Sequence, residues 1–557
     1  MATKTFKGKE ARRRVLGGSK EFRDNVAPSY GPQGGNAAIL KLGSVPTITH
    51  DGATIADAVN LPHIDDDTLG YRVGSEALKG AAKKLTKIVG NGRTAGVILT
   101  HSIQSGINEL LDKGHNAQDV RKGIEIAKNE VIDALETLND PIDEQSDRVM
   151  EVATVAANGD EEIGELIADT IKKIGKDGVI LVEAGVSLKL EPEIVEGFVI
   201  DRGWINPVFV TDAKTQEAVY DDPAILIKDG KISDNEELIQ VIGGLKQSGR
   251  KNIIIIADEV ERGVLVFLLD NMVKNIFNCV VINPPSYGQL RKDILQDIAT
   301  LTGAVVVSDE SNITFDSTGI EAAGSARKII VGREETTIID GGGDASKIEE
   351  RIKLIKKQIE DSRTPYERDI YTRRSGALGG KIAIIRVGGV TETEISERKD
   401  RVDDSAASTK AALMEGVVAG GAITLVNLAR FIQVNTYKSP LLVRLFSSRF
   451  KSEHSINAGK KVLRDAMVEP FLQLTKNAGL DGKKLLRKVQ SAPVGYGFNV
   501  SSPESGLIDM KSAGIIDPTP VVREVIRTAV SMAATLGTME TLIVELPEKE
   551  SQQESEY

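Results

Sequence analysis

Glycine-rich turns occur at three widely separated places in this chain of 557 residues. They span residues 30–36 (Tyr-Gly-Pro-Gln-Gly-Gly-Asn), 90–96 (Gly-Asn-Gly-Arg-Thr-Ala-Gly) and 416–421 (Gly-Val-Val-Ala-Gly-Gly). A turn of this kind beside a helix presents free backbone N–H groups, which bind phosphate oxygens. If all three turns serve one nucleotide site, the two ends of the chain must fold together.

The hydrophobic pattern divides the chain into three blocks. Residues 9–138 and 392–536 have mostly helical spacing, whereas the block at 195–374 alternates short apolar runs with helical stretches. The alternating block predicts an α/β domain. Strands are predicted at 178–183, 224–227, 252–256, 280–282, 304–307 and 382–387. Two helical ends around a different middle block predict that the ends pack together as one domain.

Charge and cysteine usage exclude several classes of protein. Seventy Lys and Arg against 81 Asp and Glu give a net charge of −11, which disfavours a nucleic-acid partner. The one cysteine, Cys279, rules out an intramolecular disulfide and is consistent with a reducing compartment. No apolar run approaches the ~18 residues of a membrane helix, and the N-terminus lacks a hydrophobic signal core. We therefore expect a cytoplasmic protein without membrane contact.

Nine short segments, in the same order along the chain, resemble the bacterial, group I chaperonins. The resemblance covers nearly the whole chain, and the middle block lacks the long insertion of group II chaperonins. The segments are residues 31–36, 47–52, 90–94, 196–203, 295–303, 337–341, 401–404, 415–421 and 514–519.

The resemblance implies a multidomain α+β protein with the chaperonin fold. A helical equatorial domain would come from both chain ends, with a small α/β intermediate domain and an α/β apical domain. The implied boundaries are 1–138 and 415–546 (equatorial), 139–195 and 379–414 (intermediate), 196–378 (apical), and 547–557 for a disordered acidic tail.

The same resemblance implies an ATP-dependent folding machine. Its subunits would form a homo-oligomer of seven-membered rings, hydrolyse ATP and hold unfolded client proteins on the apical domain. ATP and Mg²⁺ are the implied cofactors, with K⁺ as a further candidate ion. A co-chaperonin lid is a further candidate partner.

Two carboxylates match the family's hydrolytic residues. Asp404 corresponds to the residue that orients the attacking water, and Asp51 to a residue near the γ-phosphate. By residues alone, each aspartate would be interpreted as a solvated surface group. The resemblance further implies that ATP is bound by Ser29, Tyr30, Gly31, Pro32, His50, Asn91, Gly92, Arg93, Thr94, Ala95, Gly421, Asn499, Val500, Ser501 and Asp517.

The chain departs from the family at its metal position. The family's Gly-Asp-Gly-Thr-Thr pattern, whose aspartate binds Mg²⁺, is replaced by Gly-Asn-Gly-Arg-Thr at 90–94, which leaves Asn91 as the metal ligand. An amide oxygen lacks the negative charge that Mg²⁺ prefers. Arg93 adds a positive charge that either compensates for the lost carboxylate or crowds the metal. We expect hydrolysis to survive with weakened Mg²⁺ dependence.

Two apolar stripes at helical spacing lie in the middle block. Stripes of this kind usually face the core. The resemblance instead places them on two exposed helices that bind clients. The implied client-binding residues are Trp204, Phe209, Leu238, Ile239, Ile242, Leu265, Leu268 and Leu269. Asp270 puts a charge where the family usually has an aliphatic residue, which disfavours binding of a lid.

Two other functions remain open at this stage. A binding-only holdase or scaffold ring would explain Asn91 as a sign of impaired hydrolysis. An unrelated ATP-using enzyme is disfavoured, because the sequence lacks a Walker A motif and the usual zinc-binding spacings. Retention of both Asp51 and Asp404 favours the hydrolysing machine.

Overall fold

The computed structural model describes residues 3–40, 46–60, 68–176, 178–185, 187–213, 215–362, 364–434 and 448–545. The acidic tail predicted at 547–557 lies outside them. The α-helices are α1 (Gly8–Val26), α2 (Gly52–Ala58), α3 (Tyr71–Val89), α4 (Arg93–Asp112), α5 (Ala117–Leu138), α6 (Arg148–Ala156), α7 (Glu161–Ile174), α8 (Glu236–Gln247), α9 (Arg262–Val273), α10 (Gly288–Thr302), α11 (Phe315–Thr318), α12 (Ala345–Asp361), α13 (Pro365–Leu378), α14 (Glu392–Glu415), α15 (Ile423–Leu428), α16 (Ser448–Ala466), α17 (Glu469–Asn477), α18 (Gly482–Ser491) and α19 (Thr519–Gly537). The strands are β1 (Thr3–Lys7), β2 (Ala37–Ile39), β3 (Thr47–Thr49), β4 (Val179–Ala184), β5 (Leu190–Ile200), β6 (Ala218–Asp221), β7 (Ala224–Ile232), β8 (Asn252–Val260), β9 (Asn278–Ile282), β10 (Val306–Ser308), β11 (Gly324–Val331), β12 (Thr336–Gly341), β13 (Lys381–Val387), β14 (Val417–Ala419), β15 (Tyr496–Gly497), β16 (Ile508–Asp509), β17 (Ile516–Pro518) and β18 (Thr541–Glu545).

The chain folds into two units, one of which contains both of its ends. The first unit consists of Met1–Lys176, Val182–Glu191 and Arg386–Tyr557, and the second of Asp177–Leu181 and Pro192–Ile385. This division does not separate the predicted intermediate segments from the equatorial ones. The boundaries of the three implied domains therefore stay a prediction.

The first unit is a helical assembly closed by the pairing of its chain ends. Strand β1 runs antiparallel to β18, with Thr3 opposite Glu545 and Lys7 opposite Thr541. Helices α4, α5 and α19 share one hydrophobic core, in which Ile103, Ile124 and Ile526 are fully buried. This core fixes the N-terminus of α4, where the second glycine-rich turn lies.

The second unit is built around a mixed sheet. Strands β7, β8 and β9 are parallel neighbours, and β10 pairs with β7 in the same direction. The full strand order is β4-β13-β5-β12-β11-β7-β8-β9, with β6 also paired to β11. Parallel strands buried on both faces require continuous apolar runs, which the isoleucine-rich β8 provides. The predicted α/β character of the middle block is confirmed.

Helices α1 and α3 approach each other through glycines. A Cβ added at Gly74 would lie 2.0 Å from the carbonyl oxygen of Val15, and one at Gly18 would lie 1.8 Å from the carbonyl oxygen of Tyr71. Such distances leave no room for a side chain at position 18 or at position 74. The two backbones can pack at this separation only because both positions lack a Cβ.

We expect Gly74→Ala to destabilise the protein by about 1–3 kcal/mol, because the added methyl group forces α1 and α3 apart. Gly80→Ala on the same helix is the matched control, since a Cβ there meets nothing within 4 Å. It should be neutral or stabilising by up to about 1 kcal/mol, as alanine has the higher helix propensity. Urea denaturation measures both, and equal stabilities would contradict the close approach.

No helix among the described residues is both long enough and apolar enough to cross a membrane.

Candidate functional site

A cavity of about 680 Å³ lies in the first unit. It is lined by several elements, among them the N-terminus of α4, the middle of α14 and the strand β17. Its volume is typical of small-molecule sites. The cavity wall includes all seventeen residues that were predicted for catalysis or ATP binding: Ser29, Tyr30, Gly31, Pro32, His50, Asp51, Asn91, Gly92, Arg93, Thr94, Ala95, Asp404, Gly421, Asn499, Val500, Ser501 and Asp517.

Gly92 places the start of α4 at the cavity wall. It is the N-cap of this helix, with φ of +83°, a conformation that favours glycine. A Cβ at this position would also lie 2.6 Å from Val525 and 2.9 Å from Val521. The first N–H groups of a helix have no partner within it, and its N-terminus carries a partial positive charge. Residues 93–95 thus provide a favourable site for phosphate oxygens.

The turn at Tyr30 closes another side of the cavity. The Asn477 amide nitrogen donates to the carbonyl oxygens of Ala27 (2.9 Å) and Tyr30 (2.8 Å), which holds the turn in place. Gly31 has φ of +84°, and a Cβ there would lie 2.1 Å from Leu474. These contacts explain why glycine occupies position 31.

Asp51 and Asp404 come from different elements but share one cation. Arg93 Nη2 lies 2.6 Å and 2.9 Å from the two carboxylate oxygens of Asp404, and 3.4 Å from Asp51 Oδ1. The other oxygen of Asp51 caps α2 by accepting hydrogen bonds from the Thr54 backbone N–H (2.7 Å) and hydroxyl (2.9 Å). Arg93 therefore links the start of α4 to both predicted catalytic carboxylates.

Several acidic groups in the cavity have raised pKa values. Burial, opposed by Arg93 and assisted by Asp51 and Asp400, raises the pKa of Asp404 to about 7. Burial, together with Asp51, raises the pKa of Asp400 to about 6. Burial alone raises the pKa of Asp517 to about 6. Three aspartates are thus held where proton exchange occurs near neutral pH.

Both polar atoms of the Asn91 side chain are hydrogen-bonded to other groups of the protein. Its Oδ1 accepts a hydrogen bond from the Gly92 backbone N–H at 2.6 Å, and its Nδ2 donates to Ser408 Oγ at 3.0 Å. Within the described ranges there is no group of three or more His, Cys, Asp or Glu side chains that could hold a metal ion. The residues of this cavity fit the phosphates of a nucleotide, but they do not fit a carboxylate-bound Mg²⁺ at position 91.

Sequence reasoning missed other residues of the cavity wall. Asp400, Asp404 and Ser408 follow one another at intervals of four on α14, and all three line the cavity. This spacing places them on one helix face, so it was a usable signal once Asp404 had been identified. The last turn of α6 contributes Thr154, and the turn that follows it contributes Asn158; no motif indicated either residue.

The predicted client-binding residues lie in the second unit, and they differ in their exposure to solvent. Phe209, Leu238, Ile242 and Leu268 are buried in its core, where they pack against the sheet instead of facing solvent. Trp204, Leu265 and Leu269 are partly buried against the same core. Only Ile239 is exposed, at 48%. The eight predicted residues therefore do not form an exposed groove in this structure.

Comparison with known proteins identifies the family. Crystal structures of the chaperonin gp146 from the bacteriophage EL 2 (Pseudomonas aeruginosa), determined in the presence of ATP-BeFx, are similar to this chain. Crystal form II gives a TM-score of 0.70 and form I gives 0.62; in both, identity is 21% and the match covers 98% of this chain and 99% of the phage chain. The model of the TCP-1/cpn60 chaperonin family matches residues 22–547. The chain belongs to the TCP-1/cpn60 chaperonin family.

Proposed function

We propose that this protein is an ATP-hydrolysing chaperonin of the group I kind, which assembles into seven-membered rings, captures non-native proteins and assists their folding. The observation that carries the proposal is the convergence of seventeen residues, from distant parts of the chain, on one cavity of about 680 Å³. Family membership supports the chaperonin role, and the phage chaperonin crystallised with ATP-BeFx supports nucleotide binding.

Each part of the cavity has a role in this proposal. The backbone N–H groups of Gly31 and of residues 93–95 bind the phosphates. Asn499, Val500 and Ser501 surround the adenine, and Asp517 accepts hydrogen bonds from the ribose hydroxyls. Asp404 orients the attacking water and takes its proton, while Asp51 supports the same step. Phosphoryl transfer depends mainly on positioning and charge stabilisation, which these groups supply.

Client binding is assigned to the exposed apolar side chains of α8 and α9. Ile239, Val266 and Val273 are 48%, 55% and 79% exposed. Clustered exposed apolar side chains are typical of a surface that binds other proteins. Asp270 is exposed beside them and pairs with Lys274 at 3.4 Å, which adds charge to the surface and disfavours a lid that binds through an apolar loop.

A holdase ring is the second candidate, and the Arg93–Asp404 ion pair favours it. A carboxylate bound to a guanidinium is less available to accept a proton from water. A refolding assay with a chemically denatured, aggregation-prone enzyme distinguishes the hydrolysing chaperonin from the holdase. The hydrolysing chaperonin raises the yield of active enzyme with ATP but not with non-hydrolysable AMP-PNP. A holdase suppresses aggregation equally in both, and failure to suppress it at all would overturn both proposals.

The pH dependence of ATP hydrolysis tests the role of Asp404. Only its deprotonated form accepts a proton, so with a pKa of about 7 we expect kcat/KM to rise tenfold per pH unit below 7 and to level off above it. An ordinary aspartate, with a pKa of about 4, would give a flat profile over this range. Asp400→Asn should move the inflection to lower pH, because it removes one of the carboxylates that raise the pKa of Asp404. An inflection below pH 5 in the unmodified protein would contradict this role.

A further inference from the structure

Arg93 is the feature of the cavity that the family pattern does not account for. It stands where that pattern has a threonine, and it is the first residue of α4. Its side chain is only 12% exposed. A buried cation of this kind is held by the negative charges around it, and here Asp404 and Asp51 supply them at 2.6 Å and 3.4 Å.

The charge balance of the cavity requires a cation when a nucleotide binds. Asp51, Asp400 and Asp404 lie on the wall, and a triphosphate would add several further negative charges. Phosphate bound among carboxylates is repelled unless a positive charge lies between them. The described residues include no group of three or more His, Cys, Asp or Glu side chains that could hold a metal ion by itself, and Asn91 carries no charge to attract one. Arg93 already lies between two of these carboxylates.

The guanidinium is suited to phosphate in geometry as well as charge. Its planar fork of five N–H donors matches phosphate oxygens in pairs. Among the described residues, its hydrogen bonds to Asp404 are both made by Nη2. The Nε and Nη1 donors are therefore not used in this pair. They can make the first contact with a phosphate oxygen, which then draws the guanidinium away from the carboxylate.

We propose that Arg93 is the built-in cation of this nucleotide site and makes ATP binding largely independent of divalent metal. The terminal phosphate competes with Asp404 for the guanidinium, so ATP binding frees the Asp404 carboxylate to act on water. Arg93 is thus a binding residue for the terminal phosphate and a positioning residue for Asp404. This inference rests on the proposed ATP-binding function.

The test is calorimetric titration of the full-length protein with AMP-PNP and with ADP, each in Mg²⁺ and in EDTA. The unmodified protein should bind AMP-PNP in EDTA within about threefold of its affinity in Mg²⁺. Arg93→Thr should weaken binding in EDTA by about 10- to 100-fold, which corresponds to the loss of a charge-assisted hydrogen bond. The loss should be larger for AMP-PNP than for ADP, because only AMP-PNP carries the terminal phosphate.

Two further variants control for loss of folding. Arg93→Lys keeps the charge without the fork and should retain part of the metal-free binding. The double variant Asn91→Asp with Arg93→Thr restores the family pattern and should bind AMP-PNP tightly in Mg²⁺ but not in EDTA. Tight binding by this double variant also shows that the site still folds without the arginine.

The outcomes separate this inference from the proposed function. If the unmodified protein binds AMP-PNP in Mg²⁺ but loses binding in EDTA as fully as the double variant, the role of Arg93 is overturned and the ATP function stands. An unchanged affinity of Arg93→Thr in EDTA would overturn it equally. If no nucleotide binds in either condition, the ATP function itself is overturned.

Discussion

Asp404→Ala is expected to lower the rate of ATP hydrolysis by about 10²- to 10⁴-fold, the usual contribution of a positioned general base. Nucleotide affinity should stay the same or rise. The variant removes the carboxylate that pairs with Arg93 at 2.6 Å, so the guanidinium becomes free for phosphate. Steady-state hydrolysis and AMP-PNP titration, done on the same preparation, measure the two effects separately.

Asp403→Ala is the matched control for this variant. Asp403 is the preceding residue of α14 and is exposed, and it is not part of the cavity wall. Its removal takes the same charge from the same helix, so turnover should stay within about threefold. If Asp404→Ala hydrolyses ATP as fast as Asp403→Ala, another group activates the water. In that case kcat/KM of the unmodified protein should show no inflection near pH 7.

Asp51→Ala is a less informative variant, although Asp51 lines the same cavity. One oxygen of Asp51 faces Arg93, and the other caps α2 through Thr54. Loss of an N-cap costs about 1 kcal/mol in helix stability, so this change alters the local fold as well as the charge. A fall in turnover would not separate the two causes. Asp404, which lies within a long helix and caps nothing, gives the cleaner result.

The glycine-rich turns of the cavity could be predicted from the residues themselves, because such turns constrain the backbone locally, whereas Asp51, Asp404 and the residues at 499–501 were predicted only through the family resemblance. A glycine before a helix, such as Gly92, can adopt the left-handed conformation that this turn requires. The strands β7, β8 and β9 could also be predicted from the sequence, since buried parallel strands consist of continuous apolar runs. These features are encoded within a few neighbouring residues.

Contacts between distant residues could not be predicted in the same way. Arg93 and Asp404 are 311 positions apart, and their separate motifs gave no sign that they form an ion pair. The pairing of β1 with β18 was missed for the same reason. Both strands are short and carry charged residues, so neither resembles a core strand.

The apolar stripe on α8 shows a different limit. Leu238 and Ile242 are one turn apart and both are buried, whereas the adjacent Ile239 is 48% exposed. Helical spacing identifies one apolar face but not what covers it. Here the sheet covers the face that was assigned to clients, and the exposed residues lie beside it.

Asp297→Ala is expected to destabilise the second unit by about 3–5 kcal/mol, the usual cost of removing one member of a buried ion pair. Asp297 lies on α10 and is 1% exposed. It accepts hydrogen bonds from Arg351 Nε at 2.7 Å and from Arg374 Nε at 2.8 Å and Nη2 at 3.0 Å. These arginines lie on α12 and α13, so one carboxylate joins three helices.

The cost is large because the variant leaves two arginines without their shared partner. Arg374 is 5% exposed, so water cannot replace the lost carboxylate without opening the helices. Amide hydrogen exchange of α10, α12 and α13 measures this opening directly, and it should report a lower protection in these helices than in β8. Unchanged protection of α4, α5 and α19 in the same experiment verifies that the first unit remains folded.

Asp293→Ala on the same helix distinguishes a buried ion pair from a general loss of charge. Asp293 is 26% exposed and accepts two side-chain hydrogen bonds, from Arg374 Nη1 at 3.2 Å and from Gln289 Nε2 at 3.0 Å. Since Arg374 keeps Asp297 in this variant, the cost should stay below about 1 kcal/mol. If both variants lower the protection of α10, α12 and α13 equally, burial of the pair does not determine its contribution. If only Asp297→Ala does so, the buried carboxylate of Asp297 holds the three helices together.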